Sequence, residues 1–247
     1  MTRRPGFGRH HAPAEAVVAL VTALRVAVGS ASALAPSTFH EVVLQPGDRR
    51  VTAALPAGYA GAASAPLVVA LHFAGPATPF CGKYVLSELF EPALRGLGAV
   101  MVAPDCPGAD WTGPASEAAV IAALEWAQRT YRTDPTRTVL AGYSMGAKGV
   151  WALAARHQDL FRAALVVSGL PPAGAAEAEW RIPIYVLHSR ADERLLLKPT
   201  AELVAALRAK GVEVRLDVID EVTHYQVGRF VPYVRAAAPW LERAWGR

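Results

Sequence analysis

A mainly parallel sheet of about eight strands, covered by helices on both faces, is the α/β architecture this 247-residue chain predicts. Three observations predict it. Short apolar, β-branched runs such as Leu67–Leu71 and Ile182–Leu187 are of the kind buried on both faces. They alternate with longer stretches of helical periodicity, clearest in Ala118–Trp126 and Leu203–Leu207. A hydrophobic content of 53% supplies an ample core for one large α/β domain.

Taken in order, strands are expected near residues 40–45 and 49–55, then 67–71, 99–103, 137–142, 163–168, 182–187 and 212–219. Residues 67–71 are the most strand-like run of the first half, whereas 212–219 alternates Val212, Val214, Leu216 and Val218 with polar residues. Helices are expected near 84–95, 116–131, 145–156, 198–210 and 229–244. Residues 39–247 read as one domain and 1–38 as an N-terminal segment, with no internal repeat, low-complexity tract or linker. Between Ser168 and Ile182 the chain is too short for a cap domain, so an open cleft without a lid is expected.

Gly142-Tyr143-Ser144-Met145-Gly146 lies between the apolar run Thr138–Ala141 and the helical stretch beginning at Ala147. A GxSxG sequence in a strand-turn-helix setting holds the serine in a strained turn and exposes its hydroxyl. The small flanking residues let neighbouring backbone approach. Such turns also join strands to helices for purely structural reasons, so the partners decide. The acid and histidine that go with this elbow follow it in that order, on loops after later strands. Asp192 lies just beyond the 182–187 strand, and His224 just beyond the 212–219 strand. Alone, Asp192 reads equally as a helix cap and His224 as a surface-loop residue. Glu193, Asp220 and Glu221 are fallback acids. His157 reads as solvated in a charged helix end, and His188 as a residue that shapes the acid loop. For the oxyanion, the amide of Met145 is expected to pair with that of Ala74, with Phe73 the alternative, in the loop opened by His72.

With these residues in place the chain resembles the α/β-hydrolase superfamily, and within it the bacterial carboxylesterase group of phospholipase/carboxylesterase, feruloyl-esterase-like and dienelactone-hydrolase-like proteins. The resemblance spans about Phe39 to Trp245 and also rests on Thr133–Arg137, Trp151–His157 and Asp159–Phe161. It implies that Ser144, Asp192 and His224 are nucleophile, acid and base, with the amides of Ala74 and Met145 at the oxyanion, and no cofactor. Three positions depart from the family pattern: His72-Phe73 and His188-Ser189 where His-Gly is usual, and Ala147 where glycine often follows the elbow. The expected activity is hydrolysis of a small-molecule carboxylic ester. Thioesterase, acyltransferase or peptidase action by the same triad, and a non-catalytic binding role kept open by Phe73, are the alternatives. Phe73, Trp111, Tyr143 and Tyr225 lie beside the motif loops and are candidates to line the substrate pocket.

The formal charge is +4, but Arg3, Arg4, Arg9 and Arg25, offset by Glu15, account for most of it, so a nucleic-acid surface is not indicated. The same stretch, with the apolar run Ala16–Leu24 and small residues around Ala33, has the order of a signal peptide. Export with cleavage after Ala33 is one reading; the other is retention in the cytoplasm, with an uncleaved N-terminal helix or a misassigned start. Arg25 interrupts the run well short of the ~20 residues of a membrane span. Cys81 and Cys106 both follow strands on the presumed active face, as a disulfide or as two free thiols. No metal-binding spacing, phosphate loop or dinucleotide fingerprint is present.

Overall fold

A computed structural model describes residues 34–61, 64–75 and 78–246; the proposed targeting segment, including the cleavage point after Ala33, lies outside them. The eight strands are β1 Thr38–Leu44, β2 Arg49–Leu55, β3 Leu67–Leu71, β4 Val100–Pro104, β5 Thr138–Tyr143, β6 Ala163–Val167, β7 Ile184–Ser189 and β8 Val214–Ile219. They form one sheet in the order β1-β2-β4-β3-β5-β6-β7-β8. From β4 to β8 every pairing is parallel, and β1 and β2 add an antiparallel edge. This is the α/β-hydrolase fold expected from the sequence.

Alternation along the strands builds two cores. Leu67, Val69 and Leu71 of β3 join Leu140 of β5 and Val186 of β7 on one face, while Val68, Ala70, Val139, Ala141 and Leu187 point to the other. The first core is closed by α3 Pro114–Tyr131, α4 Met145–Arg156 and α5 Leu197–Ala209. In α3 the buried residues Ala119, Val120, Ala123, Leu124 and Ala127 recur at helical spacing, after a Pro114 that costs no hydrogen bond in the first turn. The second core is closed by α1 Gly82–Val85, α2 Glu91–Leu94, α6 Val231–Arg235 and α7 Ala238–Trp245. Each fully buried Val, Leu or Ile in these layers contributes about 1.5–3 kcal/mol.

Three of the boundaries that differ from expectation lie beside a proline. The helix expected over 84–95 starts at Gly82 and carries a π-helical turn, Leu86–Phe90, in which the Glu91 N–H reaches the Leu86 carbonyl. The next residue, Pro92, has no N–H to continue the ordinary ladder. The helix expected over 229–244 is divided: Pro239 at the head of α7 cannot extend α6, so the chain turns at residues 236–237. Similarly, β7 starts after Pro183 and runs through His188 and Ser189, two residues beyond the expected end.

Candidate active site

Ser144 joins β5 to α4 with φ 57° and ψ −116°, a strained conformation for a residue with a side chain. Its flanking glycines are a steric requirement. A Cβ on Gly142 would lie 2.4 Å from the Gly146 carbonyl oxygen, and one on Gly146 would lie 2.0 Å from that of Leu71. The turn is held on the sheet by the Ser144 N–H bonding to the Val167 carbonyl at 3.0 Å.

Two later loops converge on this turn. The Oγ of Ser144 lies 2.9 Å from Nε2 of His224, whose Nδ1 lies 2.9 Å from Oδ2 of Asp192. With the carboxylate accepting, Nδ1 carries the proton and Nε2 accepts from the hydroxyl. The other oxygen of Asp192 accepts the N–H groups of Arg194 and Leu195 at 3.0 and 2.7 Å. Burial pushes this carboxyl up, but the His224 bond and the Leu195 N–H outweigh it and hold it below the usual carboxylate range. Beneath it, the fully buried His188 bonds the Leu195 carbonyl at 2.7 Å, and burial pulls its imidazole down, so it stays neutral and shapes the loop. Of the fallback acids, Glu193 accepts the backbone N–H of His224 at 2.9 Å and Asp220 pairs with Arg190 on the surface.

An open cleft of about 610 Å³ runs past Ser144 and His224. Leu170–Ala173, in the short β6–β7 connection, supply one apolar wall with Leu195, and Ala74 and Met145 line the same cleft as the serine. Met145 is the first residue of α4, so its amide has no partner within the helix. Opposite stands an ion pair that the sequence reading did not include, Lys148 Nζ to Asp110 Oδ2 at 2.8 Å. Lys148 follows Ser144 by one helical turn, which is enough to place it above the same cleft. Hydrogen bonds from Lys148 and Thr112 hold the Asp110 carboxyl at about 2.

Of the proposed pocket residues, Tyr225 lines the cleft and is 73% exposed. The other three do not line it. Trp111 is fully buried and donates from Nε1 to the His72 carbonyl at 2.9 Å, pinning the loop that carries Ala74. Tyr143 continues the Val139-Ala141 face of β5 and is therefore turned into the second core, 1% exposed. Phe73 packs edge-on against it, ring centres 5.9 Å apart, and borders a separate cavity of about 140 Å³. His157, expected to be solvated, is half-buried and bonds Glu117 at 2.7 Å, because α4 ends against α3.

Cys81 and Cys106 are free thiols on either side of His72. The His72 Nε2 accepts the Cys106 N–H at 3.0 Å and lies 3.3 Å from Cys81 Sγ. Burial, then the Asp105 carboxylate, push the Cys81 thiol up to about 12, so it stays protonated. Among the described residues no group of three His, Cys, Asp or Glu is placed to hold a metal ion.

Residues 112–247 match the model of the dienelactone hydrolase family. The chain belongs to that family. It carries the elbow, acid and histidine loops described above within the matched span. No curated protein sequence matches significantly. Among solved structures, a thermostable esterase is 22% identical with a TM-score of 0.69, covering 83% of this chain and 62% of its own. An acylaminoacyl peptidase from Pyrococcus horikoshii is 15% identical, TM-score 0.68, covering 85% of this chain and 42% of its own. An acetyl xylan esterase from Aspergillus awamori is 16% identical, TM-score 0.61, covering 76% and 94%. At these identities the likeness is one of fold, and the chain spans about three-fifths of the first of these proteins and two-fifths of the second. Family and fold together place the chain in the α/β-hydrolase superfamily.

Proposed function

We propose that this protein cleaves carboxylic esters of small molecules by nucleophilic catalysis, with Ser144 as nucleophile, His224 as general base and Asp192 as the group that orients the imidazole. The observation that carries this reading is the unbroken hydrogen-bonded line from Ser144 through His224 to Asp192, 2.9 Å at each step, opening on a cleft with one apolar wall. The family is named for hydrolysis of a lactone, itself an ester.

As Ser144 attacks the carbonyl carbon, its proton passes to Nε2 of His224, and the carbonyl oxygen becomes an oxyanion facing the amides of Ala74 and Met145. Two fixed donors there lower the barrier without reorganisation, each worth on the order of 3 kcal/mol. The tetrahedral adduct collapses to an acyl-enzyme as His224 returns the proton to the departing alcohol. Water then gives a proton to the same nitrogen as it attacks the acyl carbon, and His224 passes that proton to the Ser144 oxygen as the acid departs. Asp192 remains ionised throughout and stabilises the imidazolium.

The test is hydrolysis of a soluble nitrophenyl acetate together with labelling by a fluorophosphonate probe. The native protein should turn over the ester and be modified at Ser144, and Ser144→Ala should do neither while unfolding at nearly the same temperature. Full activity in Ser144→Ala rules the mechanism out. Parallel assays on a thioester and an anilide establish which acyl leaving group is preferred.

A further inference from the structure

Polar contacts made by His224 through its main chain are not used by the reaction steps above. Its N–H donates to Oε2 of Glu193 at 2.9 Å, and its carbonyl accepts the hydroxyl of Tyr143. The Tyr143 ring also stacks on the imidazole, with ring centres 5.5 Å apart and planes 26° from parallel. Phe73 and Phe230 meet the tyrosine edge-on at 5.9 and 5.6 Å, so the ring that backs the histidine is itself wedged. Glu193 adjoins Asp192, and Tyr143 adjoins Ser144. Each partner of the imidazole thus brings a chain neighbour that grips the histidine's backbone.

We propose that Tyr143 and Glu193 are positioning residues that set the His224 imidazole at proton-transfer distance from Ser144, acting through the histidine's main chain; this rests on the triad reading above. The loop from Asp220 to Gln226 has no regular secondary structure, so its path is not set by a backbone ladder. Val222 anchors it in the core, and the bonds at residue 224 define where the ring projects. Burial, then the carboxylates of Asp192 and Glu193, raise the Tyr143 phenol far above its ordinary value, which keeps its hydroxyl a donor across the working pH range. Misplacing a reacting group by about 1 Å costs up to ~100-fold in rate, so a loosened loop registers in turnover rather than in substrate affinity.

Steady-state kinetics on nitrophenyl acetate and the rate of fluorophosphonate labelling test this in the full-length protein, using Tyr143→Phe, Glu193→Ala and Glu193→Gln. Tyr143→Phe keeps the stacked ring and removes only the hydroxyl; Glu193→Gln keeps an oxygen acceptor that Glu193→Ala lacks. Expected are losses of about 10- to 100-fold in kcat for Tyr143→Phe and Glu193→Ala, KM nearly unchanged, and a parallel fall in labelling rate. Glu193→Gln should recover most of the loss. Glu193 is exposed, so its variants remain informative even where Tyr143→Phe fails to fold. Native kcat in Glu193→Ala, or Glu193→Gln as impaired as Glu193→Ala, overturns the proposal. A native protein that neither labels nor hydrolyses overturns the triad reading instead.

Discussion

Asp192 has one oxygen on the imidazole and the other on two backbone amides, so its orientation is fixed from both sides. Asp192→Asn leaves the backbone bonds to the remaining oxygen but puts an N–H donor or a neutral acceptor against Nδ1. The expected result is a kcat lower by about 10³- to 10⁴-fold with KM little changed, measured with the same nitrophenyl ester. Asp110 has a carboxyl held at about 2 against an ordinary 3.8. A depressed carboxylate stabilises the folded state fully above its unfolded value and stops doing so as pH falls through its folded value. The stability difference between native protein and Asp110→Asn should therefore be constant above about pH 5 and be lost progressively as pH falls from there to about 1, as followed by denaturant unfolding across that range. Residue types and chain order were sufficient to select Ser144, Asp192 and His224. Trp111 and Tyr143 were selected only by nearness in sequence to the motif loops, which does not say which way a side chain turns. For Tyr143 a usable signal existed, since the period-two face of Val139 and Ala141 leads into the core. For Trp111, in a loop, no periodicity applies.

At the level of elements, the elbow is a close packing of three pieces of backbone: the end of β5, the first turn of α4 and the end of β3. Gly146 sits where α4 crosses β3, and an added methyl would collide with a carbonyl that is part of the sheet and has nowhere to go. Gly146→Ala is expected to lower unfolding free energy by about 3 kcal/mol, read from urea titration, and to abolish ester turnover as α4 is displaced. Strands were legible because five of them, β3 to β7, are buried along their whole length and so carry uninterrupted apolar runs. Helix ends were less so. The π turn before Pro92 and the break before Pro239 show proline acting on the backbone ladder, an effect visible in sequence only as a tendency, since proline is also accepted in a first helical turn.

Across the whole molecule, the parallel order of β4 to β8 puts the carboxyl ends of β3, β5, β7 and β8 along one edge, and the loops that leave them carry Ala74, Ser144, Asp192 and His224. The β6–β7 connection forms a wall of the cleft and does not cover it. Hydrolysis of a short-chain ester should therefore rise smoothly with concentration, and a steep increase on micelle formation is not expected; a rate curve taken across the critical micelle concentration checks this. Hydrophobic period, turn chemistry and the order of reactive residues were enough, in the sequence alone, to determine the α/β layering and the side chains that meet at the elbow, because each of these is a local pattern. The clamp on His224, the Lys148–Asp110 pair at the cleft and the retreat of Trp111 into the core were decided only in three dimensions. Each depends on the approach of segments roughly forty to eighty residues apart in the chain, and side-chain direction at such crossings is set by packing, which no local pattern encodes.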